Sequence, residues 1–216
     1  MSSLIPEQKN RCIFIGCGQG KEMDAINPKR YAEIYGLDLS ENALKIAKKT
    51  FPNFNFVQGD TFNLPFKNNY FNLVVSSELI EHLPNDKKFI GEISRTLDEN
   101  GILILTTSNW YSLFGLFRII GEKISKKDLH AGNQPIDNWY TSKKLKNLFK
   151  NNFEILDIKG SWYLPPFGKG KKKIPTSFIF PIVKFFTKID NKFSYIFPEF
   201  GHIILIKAKK KSRNKK

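Results

Sequence analysis

Residues 13–20 read Ile-Phe-Ile-Gly-Cys-Gly-Gln-Gly, an apolar run that passes directly into three alternating glycines. Such a run predicts a buried strand, and glycines at its end allow a ligand to approach the backbone closely. Asp38 ends a second short apolar run, and Asp60 ends a third. A glycine turn followed by carboxylates at successive strand ends predicts a nucleotide or nucleoside pocket in an open α/β sheet.

The glycine spacing in residues 16–20 excludes two known classes of nucleotide-binding site. A dinucleotide fingerprint is G-x-G-x-x-G, whereas this chain has G-x-G-x-G with Lys21 directly after the third glycine. A P-loop requires Gly-Lys followed by Ser or Thr, and no such triplet follows here. The turn therefore predicts neither a dinucleotide site nor a P-loop phosphate site.

Further short motifs follow the glycine turn at regular intervals. Together with the turn they are Ile15–Gly20, Gly36–Ser40, Gln58–Thr61, Phe71–Val75, Ser77–Leu83 and Gly101–Leu105. Six motifs in this order and at this spacing resemble the class I S-adenosylmethionine-dependent methyltransferases. The chain departs from that family at two positions. Phe14 stands where an acidic residue is usual, and Asn72 stands where Asp is usual.

The resemblance implies a Rossmann-like α/β fold whose seven-stranded sheet has the order 3-2-1-4-5-7-6, with strand 7 antiparallel. Alternating apolar runs and helical patterns are typical of βαβ units. The predicted strands lie near residues 11–16, 34–38, 54–58, 71–76, 102–107, 153–158 and 201–208.

Three helices are predicted between these strands. The first follows Ser40 and turns Ala43, Ile46 and Ala47 toward the sheet. The second begins at Asn85 or Asp86, buries Phe89, Ile93 and Leu97, and ends at Asn100-Gly101. The third begins at Thr141.

The chain is expected to form a single methyltransferase domain over residues 1–216. Residues 11–108 are the predicted cofactor-binding core, and two insertions after strands 5 and 6, residues 109–140 and 161–200, are expected to face the substrate or a membrane. Residues 209–216 form a basic tail.

Electrical charge is distributed unevenly along the chain. Residues 1–110 contain 12 Lys/Arg and 13 Asp/Glu, whereas residues 111–216 contain 23 Lys/Arg and 7 Asp/Glu. The second half therefore carries all of the excess positive charge, which indicates an anionic partner such as a membrane surface or nucleic acid. A general compositional bias toward lysine is the alternative interpretation.

A helical apolar stripe occupies residues 179–197. Its apolar face consists of Ile182, Phe185, Phe186, Ile189, Phe193 and Ile196, and its basic face of Lys184, Lys188 and Lys192. The stripe either packs on the protein's own core or lies on an anionic membrane surface. No signal-peptide pattern and no spanning apolar run occurs, so a cytoplasmic location is expected, with peripheral membrane attachment as a further hypothesis.

The resemblance implies S-adenosyl-L-methionine as the cofactor. Asp38 would accept hydrogen bonds from the ribose hydroxyls, and Asp60 would lie near the adenine amino group. The full predicted set of cofactor-binding residues is Gly16, Cys17, Gly18, Gly20, Asp38, Leu39, Asp60, Thr61 and Ser76.

Glu78, Glu81 and His82 follow strand 4 and are the predicted catalytic residues. His82 is the favoured general base for removing a proton from a hydroxyl acceptor. The same pattern resembles the metal site of quinone-pathway O-methyltransferases, although a hydrogen-bonding role within the turn is favoured over metal binding, and no metal is predicted.

The predicted function is methyl transfer from S-adenosylmethionine to an oxygen of a small or lipid-linked acceptor. An RNA methyltransferase is the first alternative, because nucleic acid would also suit the basic second half. A cofactor-binding subunit without catalytic activity is the second alternative, which Phe14 makes conceivable.

Overall fold

The computed structural model describes residues 10–109, 112, 138–161 and 200–212. Seven strands form one sheet in the order β3-β2-β1-β4-β5-β7-β6, and β7 runs antiparallel to both of its neighbours. The predicted sheet is thereby confirmed. Its strands are β1 (Asn10–Ile15), β2 (Tyr31–Asp38), β3 (Asn55–Gln58), β4 (Phe71–Ser77), β5 (Leu97–Ser108), β6 (Phe153–Ser161) and β7 (Ile203–Lys210).

Three α-helices begin where side-chain caps were predicted. They are α1 (Glu41–Thr50), α2 (Asp86–Thr96) and α3 (Ser142–Phe149). The side chains of Ser40, Asn85 and Thr141 each accept a hydrogen bond from a backbone N–H in the first turn of their helix. These bonds satisfy donors that a helix start leaves without partners. Within the described segments, no helix has both the length and the hydrophobicity needed to cross a bilayer.

Two details of the helices differ from the prediction. Leu44 and Ala47 face the core from α1, whereas Ile46 is 45% exposed, because it is rotated by about 100° from Ala47 around the helix. The second helix ends at Thr96 rather than at Asn100-Gly101. Leu97 is extended and pairs with Phe71 of β4, so it belongs to β5.

The apolar residues of β1 are buried on both faces of the sheet. Ile13 and Ile15 pack in the cluster that includes side chains of α2 and α3, and Cys12 and Phe14 pack in the cluster on the other face. A parallel strand covered on both sides is expected to be apolar throughout. Phe14, which stands at a usually acidic position, is thus a core residue that is only 3% exposed.

The strand order reverses between β1 and β4. The chain passes from β1 to β2 on one side, and β4 follows on the other side of β1. Connections from the two strands therefore diverge and leave a crevice beyond their carboxyl ends, which is where open α/β sheets bind ligands.

Lys210, the last residue of β7, has a buried ammonium group that joins three parts of the fold. Its Nζ donates to the Leu97 carbonyl at 2.7 Å and to Asn69 Oδ1 at 2.6 Å, and Glu99 Oε1 lies 3.7 Å away. Asn69 has a φ of 53°, a backbone conformation that few residues with a side chain adopt. The lysine therefore holds the beginnings of β4 and β5 against the end of β7.

We expect Lys210→Met to lower the free energy of unfolding by about 1–3 kcal/mol, because the Leu97 carbonyl would lose a charged donor. Urea denaturation measures this change. Lys209→Met is the matched control on the opposite face of β7 and should have little effect. Equal stability of the two variants would contradict the assigned role of Lys210.

Candidate active site

The glycine turn after β1 closes over the carboxyl end of β2. Gly16, Gly18 and Gly20 have φ values of 69°, 51° and 86°, a region that favours glycine. The backbone N–H groups of Gly16 and Cys17 both donate to the Leu37 carbonyl, at 2.8 and 3.1 Å. The turn is therefore fixed to the strand that carries Asp38.

Close packing leaves little room for side chains at two glycines of this region. A Cβ at Gly16 would lie 2.8 Å from Cδ2 of Leu79, which belongs to the turn after β4. A Cβ at Gly36 would lie 2.9 Å from Cys17 Sγ. Burial raises the pKa of the Cys17 thiol to about 12, so Cys17 is a neutral packing residue at physiological pH.

The Asp38 carboxylate is held by two backbone donors. Its Oδ2 accepts from Gly18 N–H at 2.7 Å, and its Oδ1 accepts from Ser40 N–H at 2.9 Å. An ionised carboxylate has about four acceptor sites, so two remain for a pair of hydroxyl groups. Leu39 is 72% exposed next to Asp38 and presents an apolar surface of the kind on which the ring of a nucleobase can lie.

Asp60 lies in a turn that is attached to the end of β2. Gly59 N–H donates to the Asp38 carbonyl at 3.1 Å, and Asp60 Oδ1 accepts from Phe62 N–H at 2.8 Å. Asp60 is exposed, whereas Thr61 is buried. The structure thus brings the two predicted carboxylates to neighbouring strand ends beside the glycine turn.

Ser76 carries a buried hydroxyl on β4. It lies on β4 opposite Ile15 of β1, directly below the glycine turn, and is 1% exposed. Its Oγ makes no hydrogen bond within the described residues. Since buried polar atoms in native proteins are nearly always bonded, this hydroxyl fits a position that a ligand completes.

Glu78 occupies a strained position at the end of β4. Its φ is 48°, and its N–H donates to the Thr106 carbonyl of β5. Ser108 Oγ donates to Glu78 Oε2 at 2.7 Å, whereas the buried Oε1 has no partner in the described residues. Burial, followed by the negative charge of Glu81, raises the pKa of Glu78 to about 7. The carboxyl is therefore about half ionised near neutrality.

Glu81 has a different role, because both of its carboxylate oxygens are bonded. Thr107 Oγ1 donates to Oε2 at 3.0 Å, and Ser108 N–H donates to Oε1 at 3.2 Å. Asn138 N–H donates to the Glu81 carbonyl at 2.7 Å. These bonds join the turn after β4 to the end of β5, which is the hydrogen-bonding role considered from the sequence.

His82 lies with Glu81 in the short 3₁₀ turn Ile80–His82 and is half-buried. Its role as a base stays a prediction. In the segments that the structure describes, no three His, Cys, Asp or Glu side chains converge in a way that could hold a metal ion.

Three residues at this edge of the sheet were absent from the predicted site. Ser108 could have been inferred from its place at the end of β5, next to β4. Trp139 is 44% exposed and follows Asn138, which bonds Glu81, and Phe200 is 50% exposed and precedes Gly201, whose carbonyl accepts from Asn109. Their placement depends on contacts distant in sequence. The apolar stripe of residues 179–197 and most of both insertions lie outside the described residues.

Comparisons with known proteins agree with this architecture. A family model described as a methyltransferase domain matches residues 13–105. The chain is 25% identical over 184 residues to the mitochondrial ubiquinone biosynthesis O-methyltransferase of Dictyostelium discoideum, covering 74% of this chain and 55% of that protein. It is 31% identical over 134 residues to the phthiotriol/phenolphthiotriol dimycocerosates methyltransferase of Mycobacterium leprae, covering 56% and 48%. The chain thus spans about half the length of these relatives.

A solved structure shows the same fold. The putative methyltransferase of Haloferax volcanii, determined in complex with the Trm112 methyltransferase activator, superimposes with a TM-score of 0.67 at 18% identity. The alignment covers 97% of this chain and 87% of that one. Family and fold together imply S-adenosyl-L-methionine as the cofactor. Residues 13–105 therefore belong to the methyltransferase domain family, and the chain has the fold of a class I S-adenosylmethionine-dependent methyltransferase.

Proposed function

We propose that this protein transfers a methyl group from S-adenosylmethionine to an oxygen atom of a small or lipid-linked acceptor. The observation that carries the proposal is the Oε1 of Glu78, which is buried at the end of β4 and has no hydrogen-bond partner among the described residues. It lies next to a glycine turn whose neighbouring carboxylates can accept further hydrogen bonds. A cofactor crevice and a proton acceptor on neighbouring strand ends are the two requirements of methyl transfer to a hydroxyl group.

The residues around the crevice suit the parts of the cofactor. Asp38 has acceptor capacity for the ribose hydroxyls, and Asp60 for the adenine amino group. Leu39 offers an apolar surface to the adenine ring, and we assign the hydroxyl of Ser76 to the remaining polar groups of the cofactor. When bound, S-adenosylmethionine supplies a methyl group on an already activated sulfonium.

Glu78 is the best placed base in the described site. Ser108 fixes one carboxylate oxygen, and we assign the other, which is buried in this structure, to accept the hydroxyl proton of the acceptor. A pKa of about 7 suits this task, since a base is most effective when its pKa lies near the working pH. The strain at Glu78 is of the kind that functional sites retain. We therefore propose Glu78 as the general base in preference to His82, which the sequence favoured. We assign Glu81 the structural role of holding the turn.

The rim of the site favours an acceptor with an apolar part. Trp139 follows Asn138, which bonds the Glu81 carbonyl, and Phe200 precedes the two residues that bond Asn109 after β5. Both side chains expose large apolar surfaces. The names of two relatives refer to ubiquinone biosynthesis and to dimycocerosates, which are lipid-related compounds. The lysines of the second half would assist at an anionic membrane surface.

Asp38→Ala should weaken binding of S-adenosylmethionine by roughly 10- to 150-fold, because a charge-assisted pair of hydrogen bonds is worth about 1.5–3 kcal/mol. Isothermal titration calorimetry measures the affinity. Asp157→Ala is the control, since this carboxylate pairs with Lys159 on β6, away from the crevice. Unchanged affinity in a folded Asp38→Ala variant would contradict the cofactor assignment.

Glu78→Gln should lower turnover by about 10²–10⁴-fold, because glutamine cannot accept the proton. In the wild type, turnover should rise with pH up to about 7 and then level off as the carboxyl ionises. His82→Ala is the comparison. If His82 is the base, its loss will remove this pH dependence and Glu78→Gln will retain activity, which would reverse the assignment.

The stability of the Glu78→Gln variant separates loss of chemistry from loss of folding. A carboxyl whose pKa is raised from 4.5 to about 7 binds its proton more tightly in the folded state. It therefore stabilises the fold below pH 4.5, and this contribution is lost as the pH rises toward 7. Above pH 7 the variant should consequently melt about 2–5 °C higher than the wild type. A lower melting temperature would show that the charged carboxyl is stabilised by contacts.

The acceptor class can be tested with labelled S-adenosylmethionine and separate lipid and RNA extracts. We expect label in the lipid fraction, and binding to anionic liposomes that falls in a Phe185→Ser/Phe186→Ser variant of the apolar stripe. Label in RNA, with no liposome binding at low salt, would favour an RNA methyltransferase. Binding of S-adenosylmethionine without transfer to any fraction would favour a cofactor-binding subunit.

A further inference from the structure

The segment between β3 and β4 carries Asp60 and has no helix or strand of its own after residue 58. Its first part is attached to β2 through the bond from Gly59 N–H to the Asp38 carbonyl. A second attachment is needed to fix the intervening residues 60–63, because irregular backbone has no ladder of hydrogen bonds to define it. That second attachment comes from α2.

Arg95, in the last turn of α2, uses all five of its N–H donors. Two bonds go to Glu92, from Nε to Oε1 at 2.8 Å and from Nη2 to Oε2 at 2.7 Å. The other three reach the segment itself. They go to the Leu64 carbonyl at 2.8 Å, the Phe66 carbonyl at 2.7 Å and Asn68 Oδ1 at 3.1 Å. A guanidinium presents its donors in a rigid fork, so this set fixes orientation as well as distance.

Glu92 completes the attachment from the same helix. Its Oε2 accepts from Leu64 N–H at 2.8 Å, so both backbone groups of Leu64 are bonded to the Arg95–Glu92 pair. The bond to Arg95 lowers the pKa of Glu92, which keeps its carboxylate ionised. Leu64 is 3% exposed and is thus anchored in the core as well. The turn at residues 60–63 is therefore held between Gly59 on one side and Leu64 on the other.

We propose that Arg95 is a positioning residue for the cofactor, which fixes Asp60 against the exocyclic amino group of adenine by holding Leu64 and Phe66. This inference rests on the proposed function, since it assumes that adenine lies beside Asp60. Arg95 itself lies at the far end of α2 from the turn of Glu78 and Glu81, so we expect its substitution to change adenine recognition and not the acceptor side.

The test compares two ligands by calorimetry, S-adenosylhomocysteine and its analogue whose purine lacks the exocyclic amino group. Arg95→Lys keeps the charge and loses the fork, so it should weaken binding of S-adenosylhomocysteine by about three- to tenfold. It should leave binding of the analogue unchanged, because that ligand makes no bond to Asp60. Arg11→Lys is the matched control, since Arg11 bonds Glu33 and covers the ring of Tyr70 instead.

A double-mutant cycle with Asp60→Ala gives an independent reading. If Arg95 acts through Asp60, then Arg95→Lys will not weaken binding of S-adenosylhomocysteine any further in the Asp60→Ala variant. Equal losses for both ligands, additive losses in the cycle, or no loss at all would overturn the inference. Should Arg95→Lys fail to fold, Glu92→Gln tests the same attachment. It should likewise weaken binding of S-adenosylhomocysteine and leave binding of the analogue unchanged. Failure of the unaltered protein to bind S-adenosylhomocysteine would instead overturn the proposed function, and this inference with it.

Discussion

The Leu37 carbonyl is the acceptor on which the site depends. It receives the N–H groups of Gly16 and Cys17 together, and so fixes the turn after β1 to the end of β2. Asp38, the next residue of β2, accepts a third bond from the Gly18 N–H. Because parallel strands end at the same edge, three bonds between two neighbouring strands are enough to form a rigid cradle. The positive φ values of the glycines and the close contact of Leu79 on Gly16 follow from this geometry.

The turn after β4 combines a satisfied carboxylate with an unsatisfied one. Both oxygens of Glu81 accept a bond, from Thr107 and Ser108, and so fix the backbone, whereas one buried oxygen of Glu78 has no partner in the part of the chain that the structure describes. A buried carboxyl with an unbonded oxygen is unfavourable on its own, and it persists because the surrounding bonds determine the position of the turn. The two residues are three apart in sequence and have separate tasks, one structural and one available for chemistry.

The antiparallel strand β7 brings the last part of the chain back to the crevice. Its first residue, Ile203, pairs with Ser108 at the end of β5, and the preceding residues bond Asn109. Phe200 consequently lies at the same edge of the sheet as the turn after β4. The last residue of the same strand is Lys210, which bonds the beginnings of β4 and β5 at the end of the sheet opposite the crevice. One strand thus supports the core at one end and contributes to the rim of the site at the other.

From the sequence by itself, the capping side chains determined the helix starts and the apolar runs indicated the strands, because these are short local patterns. The order of the strands came from the resemblance of six motifs to a known family, and the same motifs predicted the cofactor residues. Local patterns also indicated that Glu78, Glu81 and His82 belong to one turn. They could not separate the roles of these residues, because that separation depends on Thr107 and Ser108, nearly thirty positions away. The face of α1, the end of α2 at Thr96 and the attachment of Leu64 to Arg95 were likewise decided by tertiary contacts. The burial and charge that a side chain experiences are set by neighbours in space, and only the folded chain supplies those neighbours.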